Sequence, residues 1–309
     1  MVELAVTVGG LSLANPVMPA SGTFAEGLER VIDFDRLGAF VTKTITRELR
    51  IGNPTPRVAE TQAGLLNAIG IPSKGVPYFL HETLPFYRKF APPLVASISA
   101  PTVEGFASLA AEISVPGVAA IEANISCPNL EEDGKAFAMA ASSTEAVMRR
   151  MREATKLPLW AKLTPNTGDI AEIARAAEAA GADALVVANA ILGMAIDIES
   201  WRPQLGNITG GLTGPCIKPV ILRQVWQCAR AVKIPIIGCG GIASAGDAVE
   251  YLLAGASAVQ VGTATFIHPT AMPTIIDGLA RYCERHNLER IADLVGALNV
   301  EEVDQEDVA

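Results

Sequence analysis

Short apolar runs recur eight times along the 309-residue chain, near 16–20, 39–44, 94–99, 119–127, 159–164, 184–189, 234–239 and 258–262. Each ends in small or polar residues. Most lead into a stretch with apolar residues at three- and four-residue spacing, as at 144–154, 169–180, 217–232 and 244–254. Parallel strands can be joined only by long crossovers, usually helices, so this alternation predicts a parallel sheet clothed in helices. Eight such units are what a closed (β/α)₈ TIM barrel requires, and such barrels run to about 250 residues or more as one domain.

An open doubly wound sheet is the competing architecture, and it would carry a glycine-rich turn directly after its first strand. Here the first strand runs into PASGTF at 19–24, with one glycine. The glycine-rich turns come late, as GCGG at 238–241 and VGTA at 261–264, after the seventh and eighth strands. Backbone N–H groups reach a phosphate only where side chains do not intervene, and barrels commonly place a phosphate site in these two loops. Gly181 and Gly255 each follow a helix and precede a strand, which suits left-handed caps at the opposite end of the barrel. Two connections, 45–93 and 191–215, are far longer than the usual two to six residues. Long loops at strand C-termini are where barrel enzymes carry function. The organisation expected is a single barrel domain over 1–300 with an acidic tail, EEVDQEDVA, at 301–309.

Composition removes several classes of function. With 50% hydrophobic and 18% charged residues the chain has enough apolar surface to offset the entropy of ordering it, so disorder is not expected. A net charge of −9, with scattered basic residues, gives no footprint for nucleic acid. Asp183, Asn189 and Asp197 interrupt the greasiest stretch, so no membrane span is expected, and the start MVELAVTVGG lacks a signal-peptide pattern. Five cysteines with no CxxC pair argue against a disulfide framework or a self-contained zinc or iron–sulfur site; a reducing cytoplasm and no metal are expected.

The segment Asn124-Ile125-Ser126-Cys127-Pro128-Asn129 closes the fourth strand at the barrel mouth. A single cysteine is ordinarily a small buried hydrophobe, which is the reading for Cys216, Cys228, Cys239 and Cys283. Cys127 differs, being flanked by amide and hydroxyl side chains that are costly to bury without a polar ligand or water. Lys43 and Lys162 also stand at strand ends that open into the mouth, whereas Lys74 and Lys89 read as surface lysines.

This segment resembles the NxSCPN motif of dihydroorotate dehydrogenases, specifically the soluble class 1 enzymes with a cysteine base. The likeness extends over nearly the whole chain, through ASG at 20–22, TKT at 42–44, PRVAE at 56–60, NAIG at 67–70, KLTPN at 162–166 and NITGGLTGP at 207–215. PRVAE, NAIG and NITGGLTGP are similar to class 1B, the two-component form.

The resemblance implies FMN, contacted by Ser21, Lys43, Thr44, Ser97, Asn124, Lys162, Ala188 and Gly214, with its phosphate at Gly240, Gly241, Gly262 and Thr263. It implies that Lys43, Asn67, Asn124, Asn129 and Asn189 meet dihydroorotate, with Ala68, Ile69, Gly70, Ile71 and Ala190 beside them. Asparagine amides can satisfy the N–H and C=O groups of a pyrimidine-like ring. Cys127 is then the general base at C5, Ser126 positions or relays the proton, and a hydride passes from C6 to flavin N5. A separate FAD and iron–sulfur subunit is implied as the route to NAD, with a homodimer inside a heterotetramer. Two positions depart from the family pattern: Ala190 replaces a threonine or serine, and Ser97 replaces an asparagine. A dihydropyrimidine dehydrogenase-like barrel, which usually has histidine where Asn129 stands, and a flavin-free aldolase-type barrel with a Schiff-base lysine are the alternatives.

Overall fold

The computed structural model describes residues 2–126 and 136–300. Cys127, Asn129 and the 301–309 tail lie outside the described residues.

Eight parallel strands form one sheet: β1 (Val17–Pro19), β2 (Phe40–Val41), β3 (Leu94–Ile98), β4 (Ala120–Asn124), β5 (Leu159–Lys162), β6 (Ala184–Val187), β7 (Ile236–Cys239) and β8 (Ala256–Val261). Their order, 1-8-7-6-5-4-3-2, leaves β1 and β2 as the facing ends, as expected for a (β/α)₈ barrel. Gly38 N donates to Val17 O across that seam at 2.8 Å, and the Asn15 side chain joins Arg36 O to Val17 N. A Cβ on Gly38 would lie 2.1 Å from Asn15 O, so only glycine permits this closure.

The helices α1 (Val103–Ile113), α2 (Ala141–Ala154), α3 (Ile170–Ala179), α4 (Lys218–Ala231), α5 (Ala245–Leu253) and α6 (Ala271–Arg285) clothe the sheet. Their starts follow from local chemistry. Thr102 and Asp169 accept hydrogen bonds from the first-turn N–H groups of α1 and α3, and Ser244 with Asp247 forms a capping box on α5. Gly181 and Gly255 adopt φ of 97° and 109° after α3 and α5, as their sequence context predicts. The inner helix faces, such as Phe106, Leu109 and Ile113 of α1, bury against the strands. Each large apolar side chain so buried contributes about 1.5–3 kcal/mol.

Two features position the site without having been foreseen. At the bottom, strands Val6–Val8 and Leu11–Leu13 form a hairpin through Gly9 and Gly10, both with positive φ. The buried Trp160 indole donates to Gly9 O at 3.2 Å, so the hairpin seals that end of the barrel. At the mouth, the two long connections join in one antiparallel sheet, ordered Ile191–Met194, Thr209–Thr213, Gly64–Asn67, Val58–Thr61. This cover sheet has its own small core of Leu66, Ala68 and Leu205.

Candidate functional site

Hydroxyl and amide side chains at the strand ends are tied in a continuous chain across the mouth. Ser21, after β1, donates to Thr42 O at 2.8 Å and lies 3.0 Å from Thr44 Oγ1. Thr44 Oγ1 also meets Ser97 Oγ at 3.1 Å and accepts from Asn124 Nδ2 at 3.0 Å. Ser126 Oγ donates to Asn124 Oδ1 at 2.9 Å and accepts from Asn189 Nδ2 at 2.8 Å. The chain thus links the ends of β1, β2, β3, β4 and β6. Thr44, Ser97, Asn124 and Ser126 are buried, and each finds partners, as buried polar groups must.

Ser97 has no exposed surface, and its hydroxyl braces that of Thr44. Ala188 is also buried and follows a cis peptide at Val187–Ala188. Asn189 Oδ1 accepts from Ala190 N at 2.8 Å, which holds the start of the cover sheet against the end of β6.

The 45–93 connection reaches the same place from the other side. Asn67 Nδ2 donates to Gly211 O at 3.1 Å, and a Cβ on Gly211 would lie 2.5 Å from Ala190 Cβ. Asn67 is therefore brought next to Asn189 and Ala190, with Ala68 and Ile71 buried behind it and Gly70 turning at φ 78°. The cover sheet is the device that makes these distant segments neighbours.

Two lysines stand at these strand ends. Lys43 lies over Gly22, where an added Cβ would stand 3.1 Å from the ammonium nitrogen. Lys162 is 5% exposed and donates to Gln260 Oε1 at 3.0 Å. Burial pulls the Lys162 ammonium down, but attraction to the Cys239 sulfur, once that is ionised, and to the Glu122 carboxylate outweighs it and holds the pKa above the ordinary lysine value. Burial pushes the Cys239 thiol up, with Lys162 opposing and Glu122 adding to the rise, so Cys239 is a neutral thiol near neutral pH.

The turns after β7 and β8 carry the glycines from which a phosphate site is expected. Among the described residues, the N–H groups of Gly240, Gly241, Gly262 and Thr263 donate to no protein acceptor. β7 and β8 are neighbours, with Cys239 opposite Gln260, so these turns sit side by side. Gly241, at φ 70°, packs where a Cβ would come within 2.8 Å of Gly214 O and 2.9 Å of Lys218 Cβ. Lys218, paired with Asp247 at 2.6 Å and Glu250 at 2.8 Å, anchors the start of α4 beside this turn. Tyr251 OH fixes the turn from outside by donating to Gly240 O at 2.6 Å.

Bare N–H groups in paired turns suit a phosphate, and a buried ammonium with N–H groups to spare suits an electron-rich ring edge. The residues present therefore fit FMN. The sequence reading missed Glu122 and Gln260, which reach Lys162 from β4 and β8. Their signal was a lone polar residue inside an apolar strand, at EAN and VQV. Among the described residues no helix is long and apolar enough to cross a membrane.

Residues 3–282 match the family model described as "Dihydroorotate dehydrogenase". Similar proteins include one from Pelobacter propionicus, 50% identical over 299 residues that span 96% of this chain and 98% of the relative. One from Trichlorobacter lovleyi is 49% identical over 298 residues, spanning 96% and 98%. One from Porphyromonas gingivalis is 47% identical over 305 residues, spanning 97% and 99%. Each is named dihydroorotate dehydrogenase B (NAD(+)), catalytic subunit.

Proposed function

Because the chain belongs to the dihydroorotate dehydrogenase family, we propose that it oxidises dihydroorotate to orotate in pyrimidine synthesis, using FMN, and hands the electrons to NAD through a separate FAD and iron–sulfur subunit. The observation that carries this reading is the convergence at one barrel mouth of the amide–hydroxyl chain, Lys162 and the unpaired N–H groups after β7 and β8.

FMN, when bound, would supply the two-electron acceptor that the hydride at C6 of the substrate needs. Gly240, Gly241, Gly262 and Thr263 would hold its phosphate through main-chain N–H groups, with Gly214 leaving room beside them. Ser21, Thr44 and Lys162 would meet its ring and side chain. Cys127 removes the C5 proton as a thiolate, which an ordinary thiol pKa of about 8.5 makes scarce at neutral pH. Activity should therefore rise toward alkaline pH. Ser126 is best read as a positioning group, since its proton is committed to Asn124 and its lone pair to Asn189. Asn67, Asn124, Asn129 and Asn189 would pair with the ring N–H and C=O groups, with Lys43 facing the carboxylate. Fixing substrate and acceptor in alignment lowers the entropic part of the barrier.

The relatives' name, a catalytic subunit, supports a separate electron-transfer subunit. The exposed apolar residues Leu192, Met194, Ile196, Ile198 and Trp201 on the cover sheet and its adjoining hairpin offer a contact surface for assembly, which this reading takes to be a homodimer within a heterotetramer. The test is a visible spectrum of the purified chain followed by dihydroorotate and an artificial acceptor, with orotate read by its ultraviolet absorbance. Flavin colour and orotate formation are expected. A colourless chain that still turns over would defeat the reading.

A further inference from the structure

Below the mouth, three polar side chains meet inside the barrel. Glu122 of β4 and Gln260 of β8 have no exposed surface, and Lys162 of β5 has almost none. Lys162 Nζ donates to Gln260 Oε1 at 3.0 Å, and Gln260 Nε2 donates to Glu122 Oε2 at 2.7 Å. Nζ stands 3.8 Å from Glu122 Oε1, which has no hydrogen-bond partner among the described residues. A lysine can only donate, so it fixes the amide orientation: oxygen toward the ammonium, nitrogen toward the carboxylate. Burying either charge alone would be costly, and the pair persists because each answers the other. Only one of the three ammonium N–H groups has a hydrogen-bond acceptor among the described residues.

We propose that Glu122 and Gln260 are positioning residues for Lys162: the carboxylate keeps the lysine an ammonium inside the barrel, and the amide holds it in place, so that a fixed positive charge stands ready before the flavin is reduced. This rests on the FMN reading above. A charge already in place need not be gathered when the ring becomes anionic, which is the advantage of a preorganised site. Among the described residues, the titratable group acting on Lys162 besides Glu122 is Cys239 of β7, a buried thiol, which leaves Glu122 as the counter-charge.

The proton count exposes the arrangement. With Lys162 already charged, bound FMN takes up two electrons and one proton to reach its anionic reduced form. Without the Glu122 charge, Lys162 rests neutral and the same two electrons bring in a second proton, which ends on Nζ.

The experiment reduces the FMN-loaded full chain with dithionite against redox dyes and follows midpoint potential with pH across the neutral range. The slope is expected to double in Glu122→Gln and to return to the wild-type value in Glu122→Gln/Gln260→Glu, which moves the charge to the bridging position. A wild-type slope in Glu122→Gln would overturn the proposal, because a merely structural carboxylate would leave the proton count alone. A second measurement needs no flavin: unfolding temperatures of the FMN-free full chain for Glu122→Gln, Lys162→Met and the double variant. Each single change is expected to cost more than the double, because each leaves a buried group unanswered. Additive losses would overturn the pairing whether or not the variants load FMN. Failure of the wild-type chain to take up FMN would defeat the cofactor reading and the flavin half of the inference, while the unfolding cycle still decides the pairing.

Discussion

Ser126→Ala removes one oxygen from the middle of the chain that crosses the mouth. Ser126 is 2% exposed, donates to Asn124 Oδ1 at 2.9 Å and accepts from Asn189 Nδ2 at 2.8 Å. Asn124 is also buried, so its Oδ1 loses that donor with little water to replace it. Asn189 is half-buried and recovers part of its loss from solvent. Leaving one buried group unsatisfied costs about 1–3 kcal/mol. For a chain of this size that is a fall in Tm of about 2–6 °C. Both asparagines keep other partners, Thr44 for one and Ala190 for the other, so they loosen without leaving the site. A misplacement of 1 Å can cost about 10²-fold, and a partial loosening is expected to lower kcat/KM for dihydroorotate by about 10-fold. Thermal unfolding and steady-state kinetics with an artificial acceptor measure both. The pH profile should fall in height and keep its midpoint, because the Ser126 proton is directed at Asn124. A shifted midpoint would show that Ser126 carries the proton, and an unchanged Tm would show that the two bonds do not bear on the fold.

Cys127→Ala should leave FMN bound and slow flavin reduction by dihydroorotate by about 10²-fold or more, as for loss of a general base; near-normal reduction in a stopped-flow trace would remove Cys127 from the mechanism. Gly262→Asp should keep the fold and lose flavin colour, since a Cβ there meets only Ala20 and Thr23 at 3.6 and 3.7 Å whereas the carboxylate repels a phosphate. The same change at Gly241 would be a poorer test, because its φ of 70° and its contact with Gly214 O penalise any side chain. The isolated chain should reduce an artificial acceptor but reduce NAD poorly, and an added FAD and iron–sulfur subunit should restore NAD reduction; matching rates with NAD alone would refute the two-component assignment.

The barrel was legible because its signal is local. Each strand is a short apolar run and each crossover an amphipathic helix, so 94–99 and 159–164 fall within a residue or two of β3 and β5. The cover sheet was not legible. Its central pair joins Gly64–Asn67 to Thr209–Thr213 across more than a hundred residues of chain, and short, partly exposed strands carry no periodicity long enough to read. The N-terminal hairpin was legible in principle, since VTVGGLSL alternates around a Gly-Gly turn. At the site, residue types and strand ends pointed to Asn124, Asn189 and Lys162, but only the structure shows Ser126 tying two asparagines together and Ser97 bracing Thr44. Glu122 and Gln260 were passed over because strand patterning treats an inward polar residue as an exception, and the partner that explains it lies on another strand.

The most direct test of the assigned chemistry is to mix the purified, oxidised chain with dihydroorotate under anaerobic conditions and follow its visible absorbance. The expected result is rapid bleaching of the bound flavin with release of one orotate per flavin, without NAD or any partner subunit. A flavin that stays oxidised over many minutes in saturating dihydroorotate, in protein that is folded and fully loaded, would contradict the assignment of this barrel mouth as the site of dihydroorotate oxidation.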